Sequence, residues 1–311
     1  MGRRKTGNTT VELTELGFGA CVIGNLYEVT PAKDAAAAVE AAWTAGIRYF
    51  DTAPHYGLGL SERRRGAALR HLPRAEYVVS AKAGRLLVPD EQPRGVDSEG
   101  FAVRDDLRRQ WDFSRDHWRQ AAEEAMPALA ELRAQGVIGA IGAGMNQSAM
   151  LARFLRETAA DVVMPAGRYT LLDQSALDDL PAARELGKSV VAVGMFNSGL
   201  LSHDSHDRPT EGMKYDYREA PPERVARARE IAEVCVAHGT SLPAAAIAFP
   251  RTHPSIINVT LGMRNLEQVE RNAELRHRPV PDGLWADLRA RGLIRADVPA
   301  RAGRGRSARC R

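Results

Sequence analysis

Asp51, Tyr56 and Lys82 are the residues of this chain whose types and spacing could do chemistry. An apolar run ending in Tyr49 and Phe50 delivers the carboxylate, and the segment Thr52-Ala53-Pro54-His55-Tyr56-Gly57 then presents a phenol. A second strand-like run, residues 77–81, ends on the lysine. An ammonium beside a phenol stabilises the phenolate, and a carboxylate holds the ammonium in place. A tyrosine so placed can protonate a carbonyl oxygen, or take the proton of an alcohol, while hydride moves at the carbon. Taken singly, each of the three reads more simply as a core tyrosine or a surface charge. All three at the ends of successive buried strands favour the proton relay.

Such a relay needs a rigid scaffold, and the pattern of the chain supplies one. Apolar strand-like runs alternate with amphipathic stretches, which predicts a parallel sheet covered by helices. Strands are expected over residues 16–24, 48–51, 77–81, 137–142, 161–165, 189–193 and 256–261. Helices are expected over 31–45, from Ser61, and over 116–135, 148–158, 176–186, 222–238 and 265–275. Thr30 is the expected N-cap of the first, with Pro31 at the first helical position. A terminal helix over 284–292 is expected to cover one mouth of a barrel. That makes seven strands, where a closed parallel barrel has eight. The shortfall falls after Gly84, where a polar, charged segment through Arg115 offers no buried parallel strand.

A chain of 311 residues with 44% hydrophobic residues can fill one barrel core. The reading is a single domain over 1–293 with a flexible N-terminus at 1–10 and a basic, disordered tail at 294–311. Five arginines and no acid fall in residues 301–311, so the net charge of +4 owes much to that tail. With no aromatic residue among those charges, neither a nucleic-acid nor a membrane partner is expected. Cys21, Cys235 and Cys310 have no metal-binding spacing, so no metal is expected and a cytoplasmic location is. No secretory h-region follows the basic start, and no apolar run approaches a membrane span.

Six motifs give the chain its resemblance. They are Phe50-Asp51-Thr52-Ala53-Pro54-His55-Tyr56-Gly57-Leu58-Gly59, Trp111-Asp112-Phe113-Ser114, Gly142-Ala143-Gly144-Met145-Asn146-Gln147, Gly167-Arg168-Tyr169-Thr170-Leu171-Leu172-Asp173, Phe196-Asn197-Ser198-Gly199-Leu200-Leu201 and Leu261-Gly262-Met263-Arg264. On these the sequence resembles the aldo-keto reductase superfamily, and within it the branch of aldose and pyridoxal dehydrogenases. The resemblance implies an α/β fold of the (β/α)8 TIM-barrel type, here missing one β/α unit. Roughly 25 to 30 residues, about one such unit, are absent after Ser114-Arg115-Asp116, and the family's fourth catalytic residue, a histidine, goes with them. His117 follows directly but belongs to a helix start, away from the barrel mouth.

The resemblance assigns Tyr56 as general base in the oxidative direction, Lys82 as its modulator and Asp51 as the partner of Lys82. It places His55 and Trp111 in the substrate pocket and Asn146 at the nicotinamide carboxamide. Gly194, Phe196, Ser198, Gly199 and Leu200 form a loop suited to a pyrophosphate. Gly262, Arg264, Gln268 and Asn272 fall at the adenosine. Strict NADPH users carry cations at the positions of Gly262 and Gln268, so NAD is the expected cofactor, with Arg264 keeping NADP open. The expected activity is oxidation of an aldose or lactol such as L-fucose or D-arabinose, or of a related alcohol, to the lactone or carbonyl, with impaired catalysis. The alternative is a catalytically dead dinucleotide-binding remnant or truncated gene product. The expected partner is a small-molecule sugar, aldehyde or alcohol, and the expected assembly a monomer or homodimer.

Overall fold

Glycine and alternating apolar residues let short strands pack side by side, and helices cover their outer face. The computed structural model describes residues 1–111, 121–204, 213–216 and 218–299, with backbone alone at Trp111 and Ala121. His117, the Trp111 side chain, the rest of the Trp111–Ser114 motif and the arginine tail lie outside the described residues.

A hairpin opens the chain, β1 (Arg3–Lys5) against β2 (Glu12–Thr14). The first ten residues, expected to be flexible, are therefore partly a strand. One side chain and one backbone amide tie it to the amino ends of two later strands: the Arg4 guanidinium donates to the carbonyl of Ile256 at 2.7 Å, and the amide of Gly7 to Ser189 Oγ at 2.8 Å.

Seven parallel strands follow among the described residues: β3 (Leu16–Gly19), β4 (Tyr49–Asp51), β5 (Val78–Ser80), β8 (Gly142–Met145), β9 (Val162–Pro165), β10 (Ser189–Val193) and β13 (Ile256–Gly262). Their order across the sheet is β5-β4-β3-β13-β10-β9-β8. The last strand pairs with the first, as in a closed barrel, but β5 and β8 remain as two free edges. The gap is where one β/α unit is missing. At the carboxyl end the two edges still approach, since a Cβ added to Gly144 would sit 3.8 Å from Lys82 Cε.

Two small hairpins stand outside the barrel, β6 (Arg85–Pro89) with β7 (Leu107–Trp111) and β11 (Lys214–Tyr215) with β12 (Arg218–Glu219). The first occupies the polar segment after Gly84, and its antiparallel pairing explains why no buried run marks it. The helices are α1 (Ala32–Thr44), α2 (Leu60–Leu69), α3 (Met126–Ala134), α4 (Ser148–Glu157), α5 (Leu180–Glu185), α6 (Pro222–Ala237), α7 (Leu242–Ala248), α8 (Leu266–Leu275) and α9 (Asp282–Ala290).

Several sequence expectations shift. The strand expected at 137–142 begins only at Gly142: Val137 is exposed and its amide bonds back to Leu132 O, closing the end of α3. Ile141 is the apolar residue there that is buried, packed with Met126 and Phe154. Helix α9 packs against α6, with Trp285 edge-to-face 5.8 Å from Phe249. Ile294 and Val298, assigned to a disordered tail, are buried. Thr30 does not cap α1 either. Pro31 holds that position, and the Thr30 hydroxyl bonds Val22 O at 3.1 Å.

Candidate active site

Period-two alternation sends Tyr49 and Asp51 to the same side of β4 and aims Ser80 and Lys82 at them from β5. Lys82 Nζ pairs with Asp51 Oδ1 and also donates to the carbonyl of Thr52 at 3.1 Å. Ser80 donates to the same carboxylate oxygen at 2.5 Å, and the Tyr49 hydroxyl lies 2.9 Å from Ser80 Oγ. Asp51 is buried, 6% exposed at its side chain, so these partners are what make its charge tolerable there. Burial, and then the Asp51 charge, push the Tyr49 phenol well above its ordinary value, which keeps Tyr49 a fixed donor. Ser80 and Tyr49 escaped the sequence reading. Their two-residue spacing from Lys82 and Asp51 was the available signal.

Tyr56 stands on the loop that leaves the end of β4. Its amide closes a turn on Ala53 O at 3.1 Å, and Gly57 follows with φ +60°. A Cβ at Gly57 would lie 2.1 Å from Gly24 O, so the backbone that presents Tyr56 rests directly on the loop after β3. Ser61, fully buried, bonds both Thr52 Oγ1 (2.9 Å) and Ala20 O (2.7 Å), fixing the start of α2 beneath that loop.

A strap of residues 97–103 lies over the phenol. Its backbone bonds reciprocally with the loop after β3: the amide of Ala102 donates to Asn25 O at 2.8 Å, and Tyr27 N donates to Gly100 O at 2.8 Å. Phe101 is buried and stacks 6.0 Å from Tyr56 and 6.4 Å from His55. Arg109 and Asp97, 7% and 3% exposed at their side chains, form a buried ion pair, and Arg109 also donates to the carbonyl of His55 at 3.1 Å. None of these strap residues was singled out by the sequence.

Burial first, and then the positive charges of Arg85, Arg109 and Lys82, push His55 down to about 3. His253, buried beside Tyr169, is pushed down by burial to about 4. Both rings are neutral when folded and titrate near 6.5 once unfolded. Below 6.5 the unfolded chain therefore binds more protons. The stability linked to these rings is whole above 6.5 and falls as pH drops toward their folded values. The urea midpoint should decline on acidification, and decline less steeply in His55→Phe. An identical pH slope in that variant would contradict the assignment.

The positions expected to meet a cofactor follow the carboxyl ends of β8, β10 and β13. Asn146 follows β8 with an exposed side chain, and its carbonyl accepts from Arg168 Nε at 2.9 Å. In the loop after β10, Gly194, Asn197, Ser198 and Gly199 all have positive φ. The amides of Asn197, Gly199, Leu200 and Leu201 already bond within that loop, while Asn197 Oδ1 is buried without a partner among the described residues. Tyr27 reaches Ser198 with a side-chain hydrogen bond, linking two loops across the mouth. Phe196 is half-buried against the core and Leu200 is buried, so they support the loop more than its rim.

Gly262 and Gln268 are exposed, and Asn272 is buried. Arg264 differs from the sequence expectation. Its guanidinium donates to Leu26 O (3.0 Å), Glu28 O (3.2 Å) and Thr30 Oγ1 (3.2 Å), and pairs with the Glu28 carboxylate. It clamps the loop after β3 and is not free for a phosphate. Cys21, near Asp51 and partly exposed, is pushed up to about 11 by burial and then by that carboxylate, which disfavours its thiolate.

The sequence profile described as the Aldo/keto reductase family matches residues 15–291. The chain is 43% identical to D-threo-aldose 1-dehydrogenase from Pseudomonas sp. over 90% of its length and 94% of that protein's. It is 33% identical to pyridoxal 4-dehydrogenase of Microbacterium luteolum, covering 94% and 98% of the two chains. Among solved structures, an aldo-keto reductase from Bacillus halodurans in its holo form superposes with TM-score 0.72 at 23% identity, over 96% of this chain and 98% of that one.

Proposed function

The chain belongs to the aldo/keto reductase family, and from that membership we propose that it oxidises an aldose in its cyclic lactol form, or a related alcohol, with NAD. It is an oxidoreductase of a family that uses a nicotinamide cofactor on small molecules. The observation that carries the finer reading is the buried Asp51–Lys82 pair at the strand ends from which the Tyr56 loop departs. The phenolate of Tyr56 takes the hydroxyl proton, the C–H bond at the same carbon breaks, and the lactone carbonyl forms. Lys82, held by Asp51 and Thr52 O, keeps positive charge at the mouth to favour that phenolate. The rate should rise with pH, since the deprotonated phenol is the useful form. The bound nicotinamide supplies the hydride acceptor.

The residues present fit such a cofactor. An exposed Asn146, the Gly194–Gly199 loop with its four residues of positive φ, and the exposed Gly262 and Gln268 follow the carboxyl ends of β8, β10 and β13. The engaged Arg264 supports NAD over NADP, because no cation is left at these positions for a 2′-phosphate. Calorimetry should show NAD binding the tighter. A tenfold preference for NADP, about 1.4 kcal/mol, would contradict this.

The open edges of β5 and β8 support the loss of a unit, and with it the family's histidine. We therefore expect a slow enzyme. The same gap favours a second reading, a barrel that binds dinucleotide without turnover. Tryptophan-to-NADH energy transfer with no NADH formed from L-fucose, D-arabinose or pyridoxine would support that remnant. Steady NADH formation from any of them supports the dehydrogenase. Among the described residues no single helix is long and apolar enough to cross a membrane. A monomer or homodimer in the cytoplasm completes the proposal.

A further inference from the structure

Among the described residues of the barrel mouth, His55 is a group whose placement calls for a ligand and whose part in the chemistry is still open. Its ring stands 4.6 Å from that of Tyr56, edge to face at 63°, and 6.4 Å from Phe101 at 89°. Two aromatic neighbours restrict its rotation on both sides. Its backbone is held from below, because Arg109, locked in the buried pair with Asp97, donates to the His55 carbonyl at 3.1 Å. Asp97 in turn accepts from the amides of Glu99 and Phe101, so the turn carrying Phe101 and the arm holding His55 form one unit.

Against that fixed background, neither ring nitrogen of His55 has a hydrogen-bond partner among the described residues. A half-buried imidazole ordinarily finds one. Asp51, Ser80 and Lys82 at this mouth are tied together, Ser80 and Lys82 both donating to Asp51. Burial first, and then the charges of Arg85 on β6, Arg109 on β7 and Lys82 beyond β5, keep the ring neutral against the opposing charge of Asp97. A neutral imidazole carries one N–H donor at physiological pH and does not lose its hydrogen to a passing base.

We propose that His55 donates a hydrogen bond to the reacting oxygen of the substrate, taking over the orienting task of the histidine lost with the missing strand. Phe101, Arg109 and Asp97 are positioning residues that hold its ring beside Tyr56. The site then offers two groups to one oxygen: Tyr56 for the proton and His55 for orientation. The ligand class is a lactol or lactone whose anomeric oxygen meets both the Tyr56 hydroxyl and an imidazole N–H, beyond the edge where the two rings touch. This rests on the dehydrogenase reading.

Initial rates, NAD affinity and binding of an aldonolactone to the NADH complex should be measured on the parent, His55→Phe and His55→Gln. His55→Phe keeps a flat ring without a donor, and it should lose on the order of 10²–10³ in kcat, as for one oxyanion donor, with NAD affinity unchanged. His55→Gln keeps an N–H and should recover to within about tenfold of the parent. Parent-like rates in His55→Phe would overturn the proposal, as would His55→Gln performing no better than His55→Phe. A parent that binds the lactone but turns nothing over would defeat the dehydrogenase reading alone. His55 would then be judged by lactone affinity, weakened at least about tenfold in His55→Phe if the hydrogen bond exists, and unchanged if it does not. A parent that binds no lactone overturns both.

Discussion

Tyr56→Phe should abolish turnover while leaving NAD affinity at the parent's level. The change deletes one oxygen and keeps the ring, so the contacts with His55 and Phe101 survive. What disappears is the proton acceptor. A positioned acid or base contributes about 10²–10⁴ in rate, and the proposed mechanism gives that proton to no other side chain. Lys82→Met should act in the same direction for a different reason. It removes the charge that favours the phenolate and leaves the buried Asp51 carboxylate with Ser80 alone. An uncompensated buried charge is destabilising, so Lys82→Met should also lower thermal stability, which Tyr56→Phe should not. If Tyr56→Phe oxidises an aldose as fast as the parent, the proton passes through another group.

Gly57→Ala should be among the most damaging single methyl additions in the chain. Gly57 has φ +60°, a left-handed conformation that L side chains rarely adopt, and an added Cβ would stand 2.1 Å from Gly24 O and 2.9 Å from Gly24 C. Both obstacles are backbone, so no side chain can swing away. Strain and overpacking together should cost about 3 kcal/mol or more. Relief requires the two loops to separate, and the one that moves carries Tyr56. Folded Gly57→Ala protein should therefore be both less stable and nearly inactive. An unchanged urea midpoint would show that the loop has slack that the static geometry denies. Gly66→Ala, where no atom lies within 4 Å of the new methyl, is the fitting control.

Much of the scaffold was legible because buried parallel strands write continuous apolar runs, and Asp51 and Lys82 each end such a run. The missing unit was legible for the same reason: the run between Gly84 and Gly142 fails, and β5 and β8 are the free edges of the sheet. The exception, residues 137–142, shows the limit of that signal. An apolar stretch can close a helix end as well as enter a sheet, and only the partner decides.

The strap over Tyr56 was not legible. Asp97, Phe101 and Arg109 sit in a polar segment without periodicity, and their meaning comes from contacts made far away in the chain, such as Arg109 to His55 O. The role of Arg264 was hidden likewise. A cation at a cofactor edge suggests a phosphate until the loop it grips is seen. Short-range pattern reports burial. It does not report which distant carbonyl will claim a guanidinium.

The most direct measurement supplies L-fucose or D-arabinose deuterated at carbon 1, together with NAD, to the parent protein, and follows both products. The account predicts that deuterium appears on the nicotinamide of the NADH formed, in step with the aldonolactone, and that the rate drops with the heavy isotope when chemistry is limiting. Binding of NAD with no labelled NADH from any aldose or alcohol offered would contradict it.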